Sequence, residues 1–460
     1  MRDKLEDAVD SMQKNGAEYA DIRFESFDVN RLEIQDRKVE EITTGRDEGI
    51  GIRAFYKGFW GFSSTNDMGS IKEASKKAVR SAKALHKNSS REGYSLKEYP
   101  NVEKKLKQRA DIPPGHMEME QKLALLEDAE RTIRNRSKKI KSAKVSYSDS
   151  QGRYIFVNSE GSFIEKNPTH FSIYCHATAK SGDRTETHLE RSASINGLEH
   201  LREVDPVSLA EKAGDMSVKI VEAPRPPTGG MPVVLGDKLG GLFAHEAVGH
   251  ASEADTVLAG DSTFEGIKGE KVGSEEITVV DDPTKKENHG SYRFDDEGVE
   301  AKRTEIIKDG VFDSFLHSKQ TCSRMDVEPT GNGRAQSFSS SPLARMSNTF
   351  FEKGNHSKDE IMESIDEGLY LKGFKGGQVA TAEGKFTFGT THAYKIKDGE
   401  VQELVRGPSI SGKTLEILRK IEMVGKDMNI GDPGYCGKSG QTVYVDTGSP
   451  HMKVEEMVVG

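Results

Sequence analysis

Apolar positions in the first sixteen residues recur at Leu5, Ala8, Val9 and Met12 with charges between them. That spacing predicts a helix, closed by Asn15-Gly16. From Tyr19 the period drops to two. Ile22 and Phe24 alternate with Asp21, Arg23 and Glu25, which predicts a strand to Ser26, and Arg31 to Thr43 continues in extended form. GIGIRAFYKGFWGFS, residues 49–63, predicts a hairpin turning near Lys57-Gly58. Ile71, Ala74, Ala78, Ala82 and Leu85 trace the apolar stripe of a long helix. The polar stretch 88–116, with Pro100, Pro113 and Pro114, reads as loop. Leu123, Leu126, Ala129 and Ile133 mark a second long helix. Strands are predicted over 144–149, 153–158, 162–166 and 171–179, with a turn at Asn158–Gly161. A third helix covers about 206–222, with Pro206 suited to its first turn.

APRPPTGG, residues 223–230, joins stiff prolines to two glycines and is the clearest linker. It predicts two domains, residues 1–222 and 231–460. The second half is glycine-rich and strand-like. Asp309-Gly310 within 304–316 and Asp398-Gly399 within 386–405 sit between alternating runs, the strongest short-range hairpin signal. Ser357 and Glu360 form a capping box for a surface helix with Ile361 and Ile365 inward and Gly368 closing it. Another helix is expected over about 413–421. The fold class is therefore α+β. N-terminal helices pack on a mainly antiparallel sheet, and the C-terminal domain is mostly antiparallel β, barrel- or sandwich-like.

Composition narrows the function. A length of 460 residues exceeds what one core serves, which agrees with two domains. The formal net charge of -9 argues against a nucleic-acid binder that works by neutralising phosphates. The three cysteines, Cys175, Cys322 and Cys436, are too few and odd in number for a disulfide framework. The N-terminus lacks the apolar core of a signal peptide, and no apolar run approaches the ~18 residues of a membrane span. The expectation is a soluble cytoplasmic protein with no nucleic-acid or membrane partner.

The candidate chemistry lies in LGGLFAHEAVGH, residues 239–250. Val233 to Leu235 reads as a short strand, and Leu239, Leu242 and Phe243 mark one face of a following helix. The usual zinc-peptidase helix carries H-E-x-x-H, with both imidazoles on one face. Here His245 and His250 are five apart, which on a regular helix sets them roughly 140° apart. A shared metal therefore requires a π-bulge or a helix end, with Gly249 the easiest place for a break. A catalytic zinc needs three protein ligands and one open position. Glu253 or Asp255 could supply the third. So could Cys436, in GDPGYCGKSGQ, where glycines at 431, 434, 437 and 440 predict a tight loop. Spacing alone only ranks Cys436 first. Cys175, in an alternating strand, and Cys322, in a polar turn, read as structural.

LFAHEAVGHASEAD and GYCGKSGQTVYVDTGSP together closely resemble the TldD/PmbA family of metallopeptidases. GIGIRAFYKGFWGFSSTND, FDDEGVEAKRTEIIKDGVF and GNGRAQSFSSSPLARMSNTF agree with it, so the resemblance covers nearly the whole chain from about residue 18. The intact metal motif resembles the TldD, catalytic branch. The resemblance implies a zinc site of His245, His250 and Cys436 with Glu246 as general base. It also implies peptide hydrolysis by a zinc-activated water on unfolded or extended peptides. The partner it implies is a PmbA/TldE-like subunit in a heterodimer, or a second copy in a homodimer.

Two further points stay open on the residues. An extended peptide could add to a sheet edge of the C-terminal half, with Arg334 and Arg345 holding a carboxylate or forming ordinary ion pairs. The rival function is a partner-binding regulatory protein whose metal site is structural or vestigial.

Overall fold

The computed structural model describes residues 1–107 and 110–460. Residues 19–194 supply one eight-stranded sheet. Its strands run in the order 59–65, 38–56, 19–35 and 140–158. The last of these pairs with 163–166 near its C-terminal end and with 169–181 over the rest, and 184–194 lies outermost. All these pairings are antiparallel. The short strand Glu103–Lys105, inside the stretch read as loop, adds in parallel to 163–166. That stretch includes residues 108 and 109, which lie outside the described residues.

Helices Arg2–Lys14 and Ile71–Asn88 cover one end of the sheet, with Leu5, Val9, Ala74, Ala78 and Val79 buried against Ile22, Ile50 and Ile52. Leu85 is on the exposed side, so the buried stripe ends at Ala82. Helices Met119–Asn135 and Pro206–Glu222 cover the other end through Leu126, Ile133, Leu209 and Ala213. Each large aliphatic side chain fully buried this way contributes about 1.5–3 kcal/mol.

Three local predictions need correction. The extended run 31–43 is broken by a hairpin turn at Asp36-Arg37, where both φ angles are positive without a glycine. The Asp36 carboxylate accepts from Ala143 N at 2.9 Å and holds the turn to the next strand. Residues 140–158 form one strand, not two. Gly152 does not turn there; a Cβ on it would stand 2.2 Å from Ser26 O, so it permits close strand approach. Strand Arg184–Ser194 was not foreseen, because its polar run becomes a strand only through pairing with 169–181.

In the second half, a nine-stranded sheet is centred on Gly229–Leu235, flanked by Met452–Val459 and, in parallel, Glu367–Lys372. A seven-stranded sheet includes 279–281, 348–351, 441–449 and 434–438. One large core fills the space between them. The Asp309-Gly310 and Asp398-Gly399 turns form as expected. The second hairpin begins only at His392; Lys385–Gly389 is a separate strand paired with 376–380 and 409–413. Helix Lys358–Glu363 has its capping box, but it ends at Ser364, and Gly368 sits in the next strand. Helix Thr414–Arg419 falls within the expected 413–421. No helix among the described residues is long and apolar enough to cross a membrane.

The α+β class is as expected. The halves meet through buried ion pairs: Arg53 binds Asp21 at 2.5 Å on its own sheet and Glu297 at 2.6 Å across the junction. The GIG stretch has a packing reason. A Cβ on Gly49 would stand 2.3 Å from the Phe338 ring, and one on Gly51 would stand 2.4 Å from Phe338 O.

Candidate metal centre

Strand Gly229–Leu235 ends in the core, and the chain turns at Gly236 into a helix that starts at Asp237. The helix is regular to Phe243, widens into a π-turn over Ala244–Gly249, and closes with His250–Ser252. Bonding from i to i+5 adds a residue to the turn, so side chains five apart return to one face. This solves the H-E-x-x-x-H spacing. The helix does not break at Gly249, whose φ is -60°. Gly249 has another function: a Cβ there would lie 1.9 Å from Met346 Sδ. The glycine lets the loop carrying Met346 pack against the π-turn.

A second pair of glycines sets the helix on the strand behind it. A Cβ on Gly240 would meet Ser449 Oγ at 2.5 Å, and one on Gly241 would meet Gly448 N at 2.5 Å. Both contacts are to strand Gln441–Ser449. That strand pairs with Gly434–Lys438 through a two-residue turn at Ser439-Gly440, with Cys436 opposite Val443. Cys436 is thus on a strand of a hairpin, not in an irregular loop. Of the glycines that suggested a loop, Gly440 forms the turn, Gly434 and Gly437 lie within the strand, and Gly431 precedes it.

A ring nitrogen of His245, one of His250 and the sulfur of Cys436 lie within 4.8 Å of one another. The two rings are 5.2 Å apart and nearly perpendicular, and Cys436 Sγ is 3.5 Å from His250 Nε2. His245 Nδ1 is buried without a hydrogen-bond partner among the described residues. Buried polar atoms are rarely left so, and two imidazoles with a thiol make an N/S set that zinc accepts. The Glu246 carboxylate is half-exposed, with Oε2 3.8 Å from His250 Nε2, and stands beside the three donors without joining them.

Burial opposes charge on His245, His250 and Cys436, and their attraction to one another and to nearby carboxylates overcomes it. Burial alone would push the Cys436 thiol up, but His245 and His250 hold it down at about 5. Burial disfavours the imidazolium forms, yet Cys436 raises His245, and Glu253 with Cys436 raises His250 well above its usual value. Without metal, the Cys436 thiolate and the two imidazolium forms favour one another. A bound cation would displace those protons.

Glu253 and Asp255 are not part of the donor cluster. Glu253 is fully buried, and its Oε2 accepts from His250 Nδ1 at 3.0 Å and from Lys438 at 3.0 Å. Against the cost of burial, His250 and Lys438 hold its carboxylate down at about 2. Lys438 also reaches Asp255 at 2.6 Å. Arg345 is completely buried and donates to Cys436 O at 2.6 Å, so it braces the cysteine strand and is closed to a substrate carboxylate. Arg334 is buried too and donates to Met346 O. Lys438 and Arg345 were not foreseen in these roles. The alternation that places Lys438 on the same face as Cys436 is readable only once the segment is known to be a strand. Cys175 is buried in its strand, with its thiol pushed up to about 12 by burial. Cys322 lies in helix Lys319–Met325, not in a turn, 2.6 Å from Tyr99 Oη.

The geometry gives Glu253 a testable part. It fixes the tautomer and angle of His250, the usual task of a carboxylate behind a metal-binding imidazole. Glu253→Gln is expected to weaken zinc binding roughly 10–100-fold in a chelator competition, with the fold retained. Unchanged affinity would remove Glu253 from the centre.

Residues 228–460 match the PmbA/TldA metallopeptidase C-terminal domain, residues 20–82 its domain 1 and residues 112–219 its central domain. The chain belongs to the PmbA/TldD family of metallopeptidases. It is 41% identical to a metalloprotease of Methanocaldococcus jannaschii, over 94% of each chain. It is 30% identical to a zinc metalloprotease TldD homolog of Saccharolobus solfataricus, over 98% of each. Among solved structures, TldE from Thermococcus kodakarensis shares the fold, with a TM-score of 0.77 at 20% identity over 99% of this chain and all of that one. A proposed modulator of a DNA gyrase from Thermotoga maritima does so with a TM-score of 0.81 at 20% identity, over the whole of both chains.

Proposed function

We propose that this protein is a zinc-dependent peptidase in which His245, His250 and Cys436 hold the metal and Glu246 is the general base. The observation that carries this reading is the convergence of those three donors beside a half-exposed carboxylate that is not a ligand. A zinc ion there would supply Lewis acidity, lowering the pKa of water toward ~7 and polarising the scissile carbonyl. Glu246 takes the proton of the attacking water and delivers it to the leaving amine. Glu253, Lys438 and Arg345 hold the imidazole and the cysteine strand in place. The zinc-metalloprotease name of a relative supports the choice of metal.

The substrates are unfolded or extended peptides. The active form pairs with a PmbA/TldE-like subunit or a second copy and works in the cytoplasm. Residues 1–222 and 231–460 act as two domains joined by the proline-glycine segment. The test is an unstructured peptide of casein type, with and without a co-expressed PmbA-like subunit. Cleavage should vanish with a zinc chelator and return with zinc. Chelator-insensitive cleavage, or none by the zinc-loaded protein with its partner, would overturn the reading.

A further inference from the structure

Alternation along Gly434–Lys438 has a consequence on the side of the hairpin away from the metal donors. Cys436 points toward the site helix, so its neighbour Tyr435 points the other way, with Tyr444 directly opposite in register. These two rings form one wall of a cavity of about 330 Å³. The floor is the face of the N-terminal sheet carrying Ser148, Ser150 and Ser172, and Tyr174 rises from the same sheet. Tyr174 and Tyr435 face each other with centroids 6.5 Å apart and planes 24° from parallel. Tyr444 is held by stacking on His170 at 3.8 Å.

Several features mark this cleft as built for a ligand. Tyr435 is 47% exposed, a large aromatic left half-open one residue from a metal donor. The Tyr174 hydroxyl is buried with no partner among the described residues. The cleft and the metal donors share one strand: Tyr435 is adjacent to Cys436 and on its opposite face. Among the described residues, strand Gly434–Lys438 pairs only with Gln441–Ser449, so no strand covers its other edge. A Cβ built on Gly437 would have nothing within 4 Å. A chain crossing that edge meets the donors on one face and the tyrosines on the other.

We propose that the Tyr174–Tyr435–Tyr444 cleft is a substrate subsite that takes an aromatic side chain of the bound peptide. This rests on the reading of the protein as a peptidase. Rings on two sides give a planar side chain offset-stacked and edge contacts beyond its area burial. The serine row offers hydroxyls to a tyrosine or tryptophan tip, and Arg31, Glu33, Glu41 and Asp149 also line the cleft. The subsite thus adds a side-chain preference at one position to a groove that otherwise reads backbone.

The experiment uses the full zinc-loaded protein and two sets of unstructured peptides, with phenylalanine or alanine moved along the same sequence. Phenylalanine at one position should raise kcat/KM about tenfold over alanine there. Tyr174→Ala and Tyr435→Ala should each erase that difference at unchanged zinc content, and Tyr174→Phe should keep it. Equal kcat/KM at every position, or a preference that survives both alanine variants, overturns the subsite. Tyr435 is half-exposed, so its variant keeps the test decisive if Tyr174→Ala fails to fold. If neither peptide is cut, the peptidase reading fails separately, and fluorescence anisotropy of labelled peptides still decides the subsite. Tighter binding of the phenylalanine peptide by about tenfold supports it, and equal binding overturns it.

Discussion

Glu246→Gln is expected to leave zinc bound in full while peptide hydrolysis falls by roughly 10²–10⁴-fold, the usual contribution of a positioned general base. The substitution keeps the shape and hydrogen-bonding reach of the side chain and removes only its capacity to take a proton. The structure gives the separation of effects. Glu246 is near His250 but outside the three-donor cluster, and the π-turn that carries it is fixed by the packing of Leu242, Phe243 and Val248 in the core. Zinc content should therefore follow the wild type, and KM should move little. Metal analysis and steady-state kinetics on the same preparation check this. Full activity in the glutamine variant would remove Glu246 from the mechanism, and lost zinc would make it a ligand.

Cys436→Ser should have the opposite signature: zinc lost first, activity lost with it. The sulfur is a thiolate at neutral pH because His245 and His250 pull its pKa to about 5. A serine hydroxyl in the same place stays protonated and is a poor zinc ligand. The strand itself should survive, because Arg345 grips the backbone carbonyl of residue 436 and Lys438 is tied to Glu253 and Asp255. Neither contact uses the cysteine side chain. The variant is thus expected to melt close to metal-free wild type while retaining less than stoichiometric zinc after dialysis. Stoichiometric zinc in Cys436→Ser would point to Glu253 or Asp255 as the third ligand, as the sequence alone allows.

The two predictions divide the site between chemistry and ligation, and the fold explains why both can be tested singly. The histidines and the base share one helix. The cysteine arrives 186 residues after His250 on a hairpin braced from several sides. Gly240 and Gly241 allow the helix to rest on strand Gln441–Ser449, and Gly249 admits Met346. These three glycines serve close packing around the centre, whereas others in this half, such as Gly310, Gly399 and Gly440, hold positive φ at turns.

Periodicity by itself determined the long helices, most strands, the Asp-Gly hairpins and the α+β class, because each depends on local alternation or local φ preference. The same local reading singled out His245, Glu246 and His250 as candidates, and the five-residue spacing required a distorted helix. Tertiary structure decided the rest. It chose a π-turn over a helix end, because a continuous helix buries Val248 and Ala251 and leaves Gly249 for Met346. It made Cys436 a strand residue, since a strand needs a partner and glycine-rich sequence does not announce one. It moved Glu253 from candidate ligand to the support of His250, and turned Arg345 inward to the cysteine backbone. These last outcomes depend on which distant chains meet in three dimensions, and no spacing along one chain encodes that meeting.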